Sequence, residues 1–75
     1  MQHTYKILLN KAEEGGYNVS VPALPGCLTQ GDTVEEALEM AKEAIELYLE
    51  EIQSRGEHIP DNNQTLEYLL NLEVA

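Results

Sequence analysis

The chain has 75 residues, 14 of them acidic against four basic, for a formal net charge of −10. A chain this short makes one small domain with a marginal core, and a surface this acidic repels phosphate backbones, which argues against direct nucleic-acid binding. One cysteine, Cys27, excludes an intrachain disulfide, His3 and His58 lack metal-ligand spacing, and no apolar run approaches the roughly 20 residues that span a bilayer.

The free thiol and the lack of a signal peptide fit a reducing cytosol, so a cytoplasmic protein is expected. With neither disulfide nor metal to support the core, self-association remains, and a homo-oligomer without cofactor is expected. Apolar content of 43% marks a folded chain, not an acidic disordered tail.

Tyr5, Ile7 and Leu9 alternate with Thr4, Lys6 and Leu8, the period-2 pattern of a half-buried strand. KAEEGG follows as a turn, with Gly15 and Gly16 able to supply positive φ. Tyr17, Val19 and Val21 alternate with Asn18 and Ser20 as the return strand of a hairpin, which Pro22 ends because it has no amide to donate. Pro25-Gly26 suits the centre of a type II turn, and Cys27 to Gln30 make a short third strand.

Thr33 with Glu36 forms a capping box at the start of the clearest element. Val34, Ala37, Leu38, Ala41, Ile45, Tyr48, Leu49 and Ile52 recur at spacings of three and four, one apolar stripe over about five turns of helix. Gly56 suits the left-handed position after the helix, and Arg55 the negative end of its dipole. Pro60 with Asp61-Asn62-Asn63 reads as a loop, and Tyr68, Leu70, Leu72 and Val74, alternating with Leu69, Asn71 and Glu73, as a last strand.

The order strand-strand-strand-helix-strand predicts a two-layer α+β domain over residues 1–75, one helix covering one face of a four-stranded sheet. Leu8 and Leu69 would lie on the other face, a surface for self-association.

Glu35, Glu39, Glu43, Glu46 and Glu50 recur at helical spacing on the outward side, with only Lys42 among them. Like charges four apart cost an isolated helix about 0.2–0.5 kcal/mol per pair. These glutamates, with Asp32, are therefore the candidate surface for a basic partner. The plainer reading, a solvated face of good helix formers, stays open beside it.

Catalytic readings find little. A nucleophilic cysteine needs a helix N-terminus or an imidazolium beside it; Cys27 lies several residues before the helix start at Thr33, where Asp32 would oppose a thiolate, and reads as a small buried hydrophobe. The glycines match no phosphate-binding motif, and the first strand holds no acids to gather metal ions. The tyrosines read as core. A non-enzyme is expected.

The joined motif runs from Gly15-Gly16-Tyr17 through Pro22, Leu24-Pro25-Gly26-Cys27 and Thr29-Gln30-Gly31-Asp32-Thr33 to Glu36-Ala37, with Glu43-Ala44, Gly56 and Pro60 beyond. It resembles the HicB antitoxin family over nearly the whole chain. The resemblance implies a truncated ribonuclease H-like domain with strand order 3-2-1-4, the last strand parallel to the first. It also implies a function: masking a HicA toxin, a small basic RNA-cleaving protein, without catalysis. On this reading Gly15, Gly16, Pro22, Pro25, Gly26, Cys27, Gly31, Thr33 and Glu36 are structural.

Two departures matter. Many family members carry an acid where this chain has Ala23, and longer ones continue into a DNA-binding domain for which no counterpart is expected here, so operator binding is not carried over. The alternative is an orphan HicB-like oligomeric interaction domain without a toxin.

Overall fold

A computed structural model describes residues 3–60 and 66–74. Its elements are β1 (Leu8–Lys11), β2 (Tyr17–Ser20), β3 (Leu28–Gly31) and α1 (Val34–Ser54). The strands form an antiparallel sheet in the order β1-β2-β3, and α1 packs mainly on β3 and then on β2. The protein is thus an α+β domain, three antiparallel strands followed by one helix.

The period-2 pattern sets the faces. Tyr5, Ile7 and Leu9 are half-buried while Thr4, Lys6, Leu8 and Asn10 are exposed. The ladder itself begins only at Leu8, which pairs with Ser20. The reason lies in β2: continuing the register past Leu8↔Ser20 puts Pro22, which has no amide to donate, opposite Lys6, while Val21 carries on the ladder toward β3 by donating to Cys27 at 3.3 Å. At the hairpin tip Gly15 and Gly16 take φ of 104° and 75°. At Gly16 a Cβ would also stand 2.7 Å from the carbonyl oxygen of Gly31, so a side chain is refused by space as well as by torsion.

Helix α1 is capped at both ends. The Thr33 hydroxyl accepts the Glu36 amide at 3.0 Å, and the Glu36 carboxylate reaches back to the Asp32 amide at 3.0 Å, one residue beyond the expected cap amide. At the far end Glu57 donates to the carbonyl of Ile52 and Gly56, at φ 72°, to that of Gln53, the paired bonds of a Schellman motif. Arg55 completes this end through ion pairs with Glu51 and Glu57.

Two apolar clusters make the core. Val19, Ala37 and Ala41 gather Ile7, Leu9 and Tyr17. Val21, Leu24 and Cys27 gather Tyr5, Ala44, Ile45, Tyr48 and Leu49. Two members of the expected helix stripe are misplaced, since Val34 and Leu38 are 43% and 47% exposed. Val34 is the first residue of the helix and Leu38 lies toward one edge of the stripe, whereas Ala37 sits where β3 comes closest: a Cβ on Gly31 would lie 2.5 Å from the Ala37 nitrogen.

The expected last strand is not seen. Residues 66–74 carry no strand among the described residues, and every one of them is exposed. The phenol of Tyr5 donates to the Pro60 carbonyl at 2.6 Å, and Lys6 pairs with Glu67 at 3.4 Å, but beyond Glu67 no ladder holds the segment. Alternation alone does not make a strand; the backbone needs a neighbour to bond. The loop expected at 61–63 lies outside the described residues.

Candidate functional site

The segment from Pro22 to Thr33 is built as a connector. Leu24 donates to the Val21 carbonyl at 2.9 Å, and Cys27 to the Leu24 carbonyl at 3.0 Å across Pro25-Gly26, with Gly26 at φ 81° as a type II turn requires. From the helix, the Tyr48 phenol donates to the Pro25 carbonyl at 2.8 Å and ties the loop down. Leu24 is 1% exposed, and Ala23 and Cys27 are buried with it.

Burial raises the pKa of the Cys27 thiol above its ordinary value of 9.0. That is the opposite of what an activated nucleophile needs. Pro22 is half-buried and Gly31 is buried against α1.

The helix acids are different. Glu35, Glu39, Glu43, Glu46 and Glu50 are all exposed, as is Asp32. At about 100° of turn per residue the five glutamates fall within an arc of about 80°. Next to that arc lies a groove of ≈ 530 Å³ lined by Thr29, Met40, Glu43, Ala44, Glu46, Leu47 and Glu50. Glu43, Glu46 and Glu50 thus rim an apolar floor, with Leu47 66% exposed. Glu35, Glu39 and Asp32 do not line it.

Met40, Ala44 and Leu47 were missed in the sequence reading. Their spacing, i, i+4 and i+7, is a second short apolar stripe between the acidic arc and the core stripe. Asp32 instead lines a crevice of ≈ 570 Å³ with Glu13 and Glu14 of the hairpin turn. His3 and His58, distant in sequence, share a hollow at the far end of α1 with Glu57. Among the described residues, no three histidine, cysteine or acidic side chains are grouped to hold a metal ion. No described helix is long and apolar enough to cross a membrane.

The fold and this surface define a small α+β domain with an acidic helix face beside an apolar groove. Residues 5–74 match the model of the HicB-like antitoxin family of bacterial toxin-antitoxin systems, and the chain belongs to that family. It is 51% identical over 59 residues to a UPF0150 protein of Thermoplasma acidophilum, covering 79% of this chain and 86% of that one. It is also 55% identical over 51 residues to antitoxin HicB 1 of Photorhabdus laumondii, and 54% identical over 41 residues to antitoxin HicB of Escherichia coli. These matches cover 63% and 55% of this chain, but only 33% and 30% of the two antitoxins.

Proposed function

We propose that this chain is the antitoxin of a HicA/HicB pair, a cytosolic inhibitor that binds a small basic RNA-cleaving toxin and covers its active surface without chemistry of its own. The observation that carries this reading is the acidic arc of α1 beside the groove, in a chain of an antitoxin family. The arc steers a cationic partner into encounter. The floor of Met40, Ala44 and Leu47 then offers the dry contact that slows its departure. The reading includes self-association and a ribonuclease H-like sheet completed in the order 3-2-1-4 by a strand beside β1.

The test is inhibition of RNA cleavage by a HicA-type toxin, with association rates measured at low and high salt. The complex should form more slowly as salt rises, because exposed charges are screened beyond roughly 8–10 Å at physiological ionic strength. Reversing Glu39, Glu43 and Glu46 together to lysine should slow association by on the order of tenfold or more. An unchanged on-rate removes this face from the interface. Failure to bind any such toxin leaves the orphan interaction domain.

A further inference from the structure

We infer that the outer edge of β3 takes an extended segment of a basic partner as an added strand, with lysine or arginine at alternate positions laid into the groove beside α1. The inference rests on the proposed function for the charge of that partner and adds the mode of contact.

Hydrogen-bond parity leaves this edge open. Val21 donates to Cys27 at 3.3 Å, and the register then pairs Val19 with Thr29 and Tyr17 with Gly31. Alternation along an antiparallel ladder therefore points the amides and carbonyls of Leu28 and Gln30 away from β2. Among the described residues no further strand meets them, because β3 ends the sheet. The next outward amide, that of Asp32, is taken by the Glu36 carboxylate at 3.0 Å, so the open edge stops where the helix begins. Such an edge is a template for strand addition.

The groove decides what an added strand carries. Among the described residues Thr29 is the only strand residue that lines it, so it opens on the outer side of β3 and not beneath β2. A strand paired to β3 runs about 4.8 Å outside it, over the flank of α1 that carries Met40 and Leu47. Its inward side chains meet that apolar floor first, and Glu43, Glu46 and Glu50 at the rim. A long aliphatic stem ending in a cation satisfies both, which selects lysine and arginine. The side chains between them face outward beside Leu28, which is 71% exposed and pairs well with a β-branched neighbour. Charge excludes the chain's own segments. A second β3 laid edge to edge would set two glutamate rims against each other, and residues 66–74 would bring Glu67 and Glu73 to the same rim.

The experiment is amide hydrogen exchange on the full chain, first with a short peptide of alternating lysine and valine, then with a HicA-type toxin. Saturating peptide should slow exchange at Leu28 and Gln30 by about tenfold or more, while a peptide of alternating glutamate and valine leaves both unchanged. The amides of Thr29 and Gly31, already turned to β2, serve as the internal reference. Gln30→Pro removes an outward donor and spares the β2 ladder, so it should weaken the lysine peptide by about tenfold with helical circular dichroism retained. The exchange result on the parent chain does not depend on that variant folding. Unchanged exchange with the lysine peptide overturns the inference, as does equal protection by the glutamate peptide. A toxin that is inhibited while Leu28 and Gln30 exchange freely also overturns it, and leaves the proposed function standing. Protection by the lysine peptide with no toxin bound defeats the proposed function instead, and supports the edge as a site for a basic strand.

Discussion

Residues 22–33 and 66–74 are similar in length and opposite in fate. The first is rich in proline, glycine and small polar residues, yet it holds two consecutive turns, buries Leu24 and Cys27, and is tied to α1 by Tyr48. The second has the stronger strand pattern and lies open to solvent. Hydrophobicity therefore did not decide which segment became ordered interior. The turns at residues 21–27 close on partners within six positions, which in turn brings β3 back against β2, whereas among the described residues no such turn delivers residues 66–74 to a neighbouring strand.

The sharpest way to break this contrast is Gly31→Val. Its Cβ would collide with backbone atoms of Ala37 that cannot rotate away. A loss of about 3 kcal/mol or more is expected, a large part of the roughly 4–11 kcal/mol typical for 75 residues, and urea unfolding would measure it. Leu24→Ala comes next, at about 3 kcal/mol by the same assay, since it empties the centre of the second cluster. If either proves neutral, the connector is less tightly packed than its geometry states.

Tyr48→Phe removes only the bond to Pro25 and should cost about 1 kcal/mol. The buried thiol gives a pH signature. From about pH 9 upward the unfolded cysteine loses its proton while the folded one, its pKa raised by burial, keeps it. The unfolded state then holds fewer protons and stability falls with rising pH. Cys27→Ser should remove that component of the fall, visible as a shallower decline than in the parent chain. The smallest effect on the isolated fold belongs to Leu70→Asp with Leu72→Asp, within about 0.5 kcal/mol when measured at monomeric dilution. A larger loss there would mean that the tail already contributes to its own chain.

Much of the architecture was legible because it is local. Thr33 and Glu36, Pro25-Gly26, Gly15-Gly16 and the alternation of Tyr5, Ile7 and Leu9 act on neighbours a few positions away, so their spacing states their role. The resemblance carried by the connector motif pointed to the antitoxin family that the match over residues 5–74 shows. The acidic face was visible too, through helical spacing alone.

Tertiary structure decided the rest. Gly31 had no assigned cause until α1 lay across it, its missing Cβ leaving room for the Ala37 backbone. The groove beside Glu43, Glu46 and Glu50 exists only because β3 supplies Thr29 as its other wall. A turn or a cap is closed by residues the chain has just placed, and sequence determines it. A packing contact, a groove or a strand's ladder is closed by a surface from elsewhere, and only the assembled fold determines which surface arrives.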